Sequence, residues 1–453
     1  MSYIADTIAA IATPGGRGGV GIVRVSGPRA SRVMEAVLSR SLVPRVATLA
    51  TFRGAANEML DQGIALYFPA PHSYTGEDVL ELHGHGGPAV LGLVLERCLE
   101  AGARLANPGE FTQRAFLNGK LDLAQAEAVA DLIDAGSATA ARAAARSLSG
   151  DFSREVHAIA DAVLELRTLT EASLDFPDED IDFVRAADAQ GRLQRIAQHL
   201  AGLRDRARRG SLLREGLTVV LIGRPNVGKS SLMNRLAAQD VAIVTDVAGT
   251  TRDALRSHVE IGGIPVTVID TAGLRPTDDP IETIGIDRTW NAVAHADVAL
   301  LIRDARAPML DAADADILSR VPAAVTRVIV HNKIDLASMA PGRERASDGA
   351  WHVFLSALTA AGVDVLERTV LELAGAAEDR ETAFLARARH LDALANAARH
   401  VDGALSQLAV SSPPLELMAE ELREAHDALG AIVGVTTADD LLGAIFARFC
   451  IGK

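Results

Sequence analysis

The sequence predicts a multidomain α/β chain: an N-terminal α+β domain, then an all-α domain split in two by an inserted P-loop domain. Three observations predict it. Residues 223 to 230 read Gly-Arg-Pro-Asn-Val-Gly-Lys-Ser, a complete G-x-x-x-x-G-K-[ST] phosphate loop fed by the apolar run Leu217 to Ile222. Alanine, leucine, glutamate and arginine recur at helical spacing on both sides of that unit. Glycine, proline and β-branched residues dominate only up to about residue 117.

In the first of these regions, expected to span 1–118, Val20 to Val25, Gly63 to Phe68 and Val79 to His83 have the composition of short strands. Gly16-Arg17-Gly18-Gly19-Val20-Gly21 matches G-x-G-x-x-G, but it precedes a strand and opens no helix. It therefore reads as a flexible turn and not as a dinucleotide site. His83 and His85 lack a third nearby ligand and read as residues of a glycine-rich turn. Cys98, in the helical and largely apolar Val90 to Leu99, reads as a small core residue.

From Leu121 to Leu213 the spacing is helical, as in Val156, Ile159, Ala160 and Val163, giving a first helical half over 119–215. The acidic, proline-containing stretch Asp175 to Asp182 interrupts it as a solvated connection. The nucleotide unit is expected over 216–377. Glu381 to Ala409 and Leu415 to Ile445 are helical again, a second half over 378–453. Helices bracketing a compact α/β unit indicate an insertion, and inserted domains tolerate motion relative to their host.

The motifs after the phosphate loop decide the ligand. A strand ending in a glycine-rich turn that opens a helix points backbone N–H groups at the α- and β-phosphates, while Lys229 reaches the β- and γ-phosphates and Ser230 offers a Mg2+ ligand. Gly249-Thr250-Thr251-Arg252-Asp253 follows; the apolar Val266 to Ile269 then delivers Asp270-Thr271-Ala272-Gly273, with Asp270 in the Mg2+ shell and the Gly273 N–H sensing the γ-phosphate. Val328 to Val330 leads into Asn332-Lys333-Ile334-Asp335, and Trp351 to Leu355 ends in Ser356-Ala357. A carboxylate at Asp335 accepts from both N1–H and the 2-amino group of guanine; adenine has an acceptor at N1 and would leave a charge unpaired. The base is guanine. The expected GTP contacts are Asn226, Val227, Gly228, Lys229, Ser230 and Ser231; Thr245, Asp246, Val247, Ala248, Gly249, Thr250 and Thr251; Asp270, Thr271, Ala272 and Gly273; and Asn332, Lys333, Asp335, Ser356, Ala357 and Leu358. Where Ras-like GTPases place a water-orienting glutamine, this chain has Leu274.

At 453 residues the chain suits about three domains of roughly 150 residues each. A net charge of -14 supplies no global basic field, so an RNA partner must be met by local patches or through a second protein. Two cysteines, Cys98 and Cys450, suit a reducing cytosol. Met1 to Ala12 has no signal-peptide pattern, and no apolar run approaches the roughly 20 residues a bilayer requires. The expectation is a soluble, cytoplasmic protein without membrane contact. Cys450-Ile451-Gly452-Lys453 has the outline of a prenylation box with glycine and lysine in the wrong places.

With these motifs in place the chain resembles, end to end, the MnmE (TrmE) family of tRNA-modification GTPases. The residues that carry the resemblance are Asp6 to Ala10 with Thr13-Pro14-Gly15, Tyr74-Thr75-Gly76-Glu77-Asp78, Glu81-Leu82-His83-Gly84-His85-Gly86-Gly87, Pro108-Gly109-Glu110-Phe111-Thr112, Leu117 to Asp122, the GTPase set, and Phe449-Cys450-Ile451-Gly452-Lys453. The resemblance implies a folate-binding, dimerising N-terminal domain, a split helical domain and an inserted Ras-like GTPase domain. It implies a homodimer that joins the FAD-containing MnmG (GidA) protein in a heterotetramer. The implied reaction places an aminomethyl or carboxymethylaminomethyl group on C5 of the wobble uridine, position 34, of certain tRNAs. Carried over by motif, a tetrahydrofolate derivative (5-formyl or 5,10-methylene) meets Arg24, Glu81, Lys120 and Lys453. Glu282 positions the attacking water; K+ is held by Asn226, Thr245, Val247 and Thr250, and Mg2+ by Ser230 and Thr251. Cys450 has two readings, a packing residue or a participant in the modification. The competing class is a ribosome-assembly or signalling GTPase, which shares the motifs from 223 to 357. Such factors carry a basic RNA-binding appendage, which this acidic chain lacks.

Overall fold

The computed structural model describes residues 6–175, 188–239, 256–270, 290, 293–307, 311–346, 349–373, 384–410, 414–435, 439–447, 449 and 452. They gather into two compact units, one from Met1–Ala130, Ser147–Leu200 and Ala393–Lys453, the other from Asp131–Arg146 and Ala201–Asp392.

The first unit contains a six-stranded sheet built from β1 (Ile8–Ile11), β2 (Gly18–Ser26), β3 (Thr48–Arg53), β4 (Met59–Phe68), β5 (Val79–Gly86) and β6 (Arg104–Leu105), in the order β3-β4-β5-β2-β1-β6. Pairing is antiparallel except between β1 and β6. Alternation sends Val23, Val25, Leu80 and Leu82 to the face covered by α1 (Ala30–Leu38) and α2 (Pro88–Glu100), where they pack with Val33, Val37, Leu91, Val94 and Cys98. The other face takes Arg24, Glu81 and His83. Two expectations are corrected here. Gly18 to Gly21 belong to β2, with a register shift between Gly18 and Gly21, because glycine permits the close pass of Gly86 against the Gly18 and Val20 carbonyls. His83 and His85 belong to β5 and not to a turn: the Gly63 Cα faces the His83 carbonyl so closely that a Cβ there would stand 2.0 Å from its oxygen. Among the described residues β1, β3 and β6 are further strands that the composition does not single out; β1 reads Ile-Ala-Ala-Ile without alternation.

Two arginines fasten this unit around α3 (Glu110–Leu117). Arg114, 1% exposed, donates to the Asp6 carbonyl and carboxylate (2.8 and 2.6 Å), to both Glu77 oxygens (3.1 Å each) and to Glu110 (2.9 Å). Arg104 donates to Asp6 (2.6 Å) and to both Glu110 oxygens (2.6 and 2.8 Å). Burial raises the carboxyls of Asp6 and Glu110; the two guanidiniums, joined at Glu110 by the Asn107 N–H, outweigh it, so both titrate below their ordinary range. Ser26 donates to Glu77 and meets Thr75, each at 2.7 Å, which holds the 73–78 loop on the sheet. Helices complete the unit. Val156, Ile159, Val163 and Leu166 of α6 (Asp151–Asp175) are buried on one stripe, and α6 packs on α13 (Leu415–Val433) through Met418, Leu422 and Leu429. The run expected as helix from Leu415 to Ile445 breaks at Gly434, which caps α13 in the left-handed conformation; α14 (Asp439–Phe446) follows. Phe446 and Phe449 pack on Leu123 and Ala126 at the start of α4 (Leu123–Ile133), two residues later than expected.

The second unit is a seven-stranded sheet of β7 (Leu217–Ile222), β8 (Arg256–Ile261), β9 (Ile264–Asp270), β10 (Val298–Asp304), β11 (Thr326–Asn332), β12 (Gly342–Arg345) and β13 (Trp351–Phe354), ordered β12-β13-β11-β10-β7-β9-β8. The five central strands are parallel; β7 and β10, at the centre, are buried on both faces and read as apolar runs, whereas β9 alternates over its first half and β13 is half-buried. Strands β8 and β12 pair antiparallel at the two edges. The helices α5 (Ala138–Leu148), α7 (Ala189–Glu215), α8 (Lys229–Gln239), α9 (Ala312–Arg320), α10 (Ile334–Ala337), α11 (Val363–Leu373) and α12 (Ala388–Leu408) complete the described set. Within this unit Asp131 accepts from Arg214 (2.9 Å) and Arg387 (2.8 Å), so one carboxylate holds the chain just before β7 and again just before α12.

Candidate functional site

The phosphate loop lies where β7 ends beside β10 and β9, at the carboxyl edge of the parallel strands, where open α/β sheets bind ligands. Gly223 (φ +140) passes the Ile302 carbonyl so closely that a Cβ would sit 2.3 Å from its oxygen, and Gly228 (φ +101) leaves the same margin, 2.2 Å, to Asn332 Nδ2. Both glycines are required by close approach and by a backbone conformation that L side chains rarely adopt. Helix α8 begins at Lys229, so the loop amides and the positive end of the helix converge. Lys229 is 8% exposed; its Nζ donates to the Gly223 and Arg224 carbonyls at 2.9 and 3.0 Å, and burial lowers its pKa against the opposing pull of Asp270.

Ser230 Oγ donates to Asp270 Oδ2 at 2.8 Å, across the β7–β9 pairing that sets Leu221 beside Asp270. Asp270 is 3% exposed and its Oδ1 is buried without a hydrogen-bond partner among the described residues. An orphaned carboxylate oxygen beside a serine hydroxyl is the hard-oxygen donor set that Mg2+ takes, so the residues present fit that ion. The structure thus brings together Ser230 and Asp270, as the spacing predicts.

The base-recognition motif is tied to the phosphate loop by one side chain. Asn332, 2% exposed at the end of β11, donates to Val227 O (2.8 Å) and accepts at Oδ1 from Lys333 N (2.8 Å) and Ala357 N (2.9 Å). Lys333 Nζ donates to Asn226 O (2.7 Å) and to Asp304 Oδ2 (3.1 Å). Asn226, Val227, Asn332, Lys333 and Ala357 are therefore laced together, with Gly228 packed against Asn332 and Ser356 buried next to Ala357 in sequence; Asp335 stands exposed in the first turn of α10, and Ser231, in α8, and Leu358, after Ala357, are exposed as well. One residue that the motifs do not reveal completes this network. Asp304, held far below the ordinary carboxylate range chiefly by hydrogen bonds from Arg306, terminates β10 and anchors Lys333. The signal that reveals it is the apolar run Val298 to Ile302, a strand whose end must lie beside Asn332.

In the first unit, Arg24 and Glu81 are register partners on β2 and β5, with Arg24 Nε donating to Glu81 Oε1 at 2.9 Å. Glu81 Oε2 lies 3.1 Å from His83 Nε2. The Arg24 guanidinium stands over the rings of Tyr74 (5.3 Å) and Phe111 (5.7 Å), and Tyr74 OH meets Thr112 Oγ1 at 2.8 Å. Its terminal nitrogens make no hydrogen bond among the described residues, so a cation, a carboxylate and an aromatic face share one half-buried patch. That chemistry fits a pterin with a carbonyl-bearing tail. Lys120 is exposed, with its stem against Gly76 in the loop that carries Tyr74. Gly452 (φ +96) lies against Ile11 and Ala12 at the end of β1. Tyr74 and His83 are the neighbours that the motif reading misses: Tyr74 arrives on the 73–78 loop that Ser26 holds against the sheet, and His83 shares the Glu81 face of β5 two residues on.

The expected site residues Thr245, Asp246, Val247, Ala248, Gly249, Thr250, Thr251, Thr271, Ala272, Gly273, Glu282, Cys450 and Lys453 lie outside the described residues, as do Leu274 and the acidic stretch after Asp175.

A family model described as the GTP-binding protein TrmE N-terminus matches residues 7–120, and one described as the MnmE helical domain matches residues 123–450. A tRNA modification GTPase MnmE of Thiobacillus denitrificans is 59% identical over 448 residues, covering 99% of this chain and 98% of that protein. Proteins of the same description from Dechloromonas aromatica (55% over 448 residues, 99% of each chain) and Chromobacterium violaceum (56% over 454 residues, 100% of each) are similar throughout.

Proposed function

Since the chain belongs to the MnmE family of tRNA modification GTPases, we propose that it hydrolyses GTP as part of C5 modification of the wobble uridine, position 34, of tRNA. The observation that supports this best is the lacing of Asn332 between Val227 and Ala357, which makes phosphate and base recognition one rigid site.

The residues act as follows. Lys229 exchanges the Gly223 and Arg224 carbonyls for the β- and γ-phosphate oxygens of entering GTP, which restores a full ionic partner to a buried ammonium. Asp335 accepts from N1–H and the 2-amino group of guanine, and Asn332 and Lys333 hold that edge of the site against the phosphate loop. Ser230 and Asp270, with Thr251, would hold Mg2+, which when bound would neutralise charge on the phosphates. Glu282 orients the attacking water, the role Leu274 cannot fill, and Asn226, Thr245, Val247 and Thr250 would hold K+, which when bound would supply the charge an arginine finger supplies elsewhere.

In the N-terminal domain, Arg24, Glu81, Lys120 and Lys453 bind a tetrahydrofolate derivative, which when bound supplies the one-carbon unit; Tyr74 and His83 orient Arg24 and Glu81. The apolar side chains of Val20, Leu49, Met59 and Ile64, exposed on β2, β3 and β4, support homodimerisation through this domain. The FAD-containing MnmG protein is the proposed partner, in the cytoplasm. The division 1–118, 119–215, 216–377 and 378–453 is proposed on the confinement of the second sheet to Leu217–Phe354. The test is mass analysis of wobble nucleosides in tRNA from a strain lacking the chain. Loss of the C5 group, restored by the wild-type chain and not by Asp335→Asn, is expected; unchanged nucleosides refute the reading.

A further inference from the structure

We propose that Arg235 is a positioning residue for base recognition, fixing the Ser356–Leu358 loop so that the site reads the 6-position of the purine. The inference rests on the guanine reading of the site. Arg235 lies on α8, in the second turn after the phosphate loop, and its Nε and Nη2 donate to the Ala357 and Leu358 carbonyls at 3.1 and 2.7 Å. Nothing in the phosphate-loop or base motifs calls for a cation there.

The consequence follows from peptide geometry. In a trans peptide the carbonyl of one residue and the N–H of the next point in opposite directions. Drawing the Ala357 carbonyl onto Arg235 turns the Leu358 N–H away from α8. The loop is also held by Asn332, whose Oδ1 accepts the Ala357 N–H. The Leu358 N–H has no hydrogen-bond partner among the described residues, and Leu358 is 76% exposed. The loop is thus fixed by a guanidinium and a buried amide, with the Leu358 donor turned away from α8. A donor fixed in that way suits the 6-oxo group of guanine and opposes the 6-amino group of adenine. Arg235 and Asp335 then divide recognition. Arg235 acts through the loop on the 6-position, and Asp335 reads N1 and the 2-amino group.

Calorimetry with the full chain separates the two roles. GDP, 6-thio-GDP (a weak acceptor at position 6) and IDP (no 2-amino group) are titrated into wild type, Arg235→Ala and Arg235→Lys. Arg235→Ala is expected to weaken GDP binding about tenfold while 6-thio-GDP binding changes little, so that the GDP to 6-thio-GDP preference collapses. The GDP to IDP preference, set by Asp335, should stay as in wild type. Arg235→Lys, which keeps a cation but not the fork, should recover part of the lost preference. An unchanged 6-thio-GDP preference in both variants overturns the proposal. So does a parallel fall of both preferences, which would mark Arg235 as a general packing residue. Should Arg235→Ala fail to fold, Arg235→Lys and Arg235→Gln carry the same comparison.

Discussion

Replacing Arg114 by methionine tests whether the buried ion cluster positions the patch around Arg24. The side chain is 1% exposed and donates to Asp6, Glu77 and Glu110 at 2.6 to 3.1 Å. Methionine fills similar volume without charge, so the change removes the cation and leaves its carboxylates in place. Breaking a buried pair by deleting one partner costs about 3–5 kcal/mol. Arg104 keeps its bonds to Asp6 and Glu110, so only Glu77 loses its cationic partner and retains Ser26. The low end applies, about 3 kcal/mol, or roughly a hundredfold more frequent opening of this region. Native-state hydrogen exchange reads it directly. Amides of β1 and β2 and of the 73–78 loop should lose about two orders of magnitude of protection. GDP affinity, governed by the second unit, should hold. Acidification tests the same cluster with its sign. The folded-state pKa values of Asp6 and Glu110 lie below the ordinary 3.8 and 4.5, so their contribution is present above those values and is lost as pH falls through the folded ones. Wild type should therefore lose protection below about pH 4.5, and Arg114→Met should respond less steeply. A variant with wild-type protection and the same acid response would refute the reasoning.

Three further outcomes are expected. Asp335→Asn should shift nucleotide preference from guanine toward xanthine, whose O2 accepts where guanine donates; equal binding of ATP and GTP by wild type in calorimetry would contradict the base assignment. Replacing K+ by Na+, or Glu282 by alanine, should slow GTP turnover strongly with affinity little changed, and equal rates in both salts would remove the potassium proposal. Cys98 is fully buried, its thiol pushed up to about 12 by burial, so in a Cys450→Ser background the folded chain should resist alkylation at pH 8 and react only on unfolding. Rapid labelling of the folded chain would show that α2 does not seal this core.

Much of this protein is legible along the chain because its chemistry is local. The phosphate loop is a turn whose glycines, lysine and serine are contiguous, and the motifs at Asp270 and Asn332 each follow a buried strand that announces itself as an apolar run. Helices α6 and α13 are equally plain, since one stripe at 3.6-residue spacing is enough to define the buried face. What the sequence could not determine depends on register between distant strands. Glu81 is one carboxylate until antiparallel pairing sets it against Arg24, and Tyr74 reaches them only because Ser26 of β2 holds the 73–78 loop on the sheet. Strand β1, a run of isoleucine and alanine, becomes a strand because β2 and β6 supply its hydrogen bonds. Asp304 holds Lys333, and Arg235 holds the Ala357 loop, across separations of 29 and 122 residues. No periodicity reports such partners: a hydrogen bond between distant residues leaves no local pattern, and it exists only once the strands and helices that carry both ends have packed.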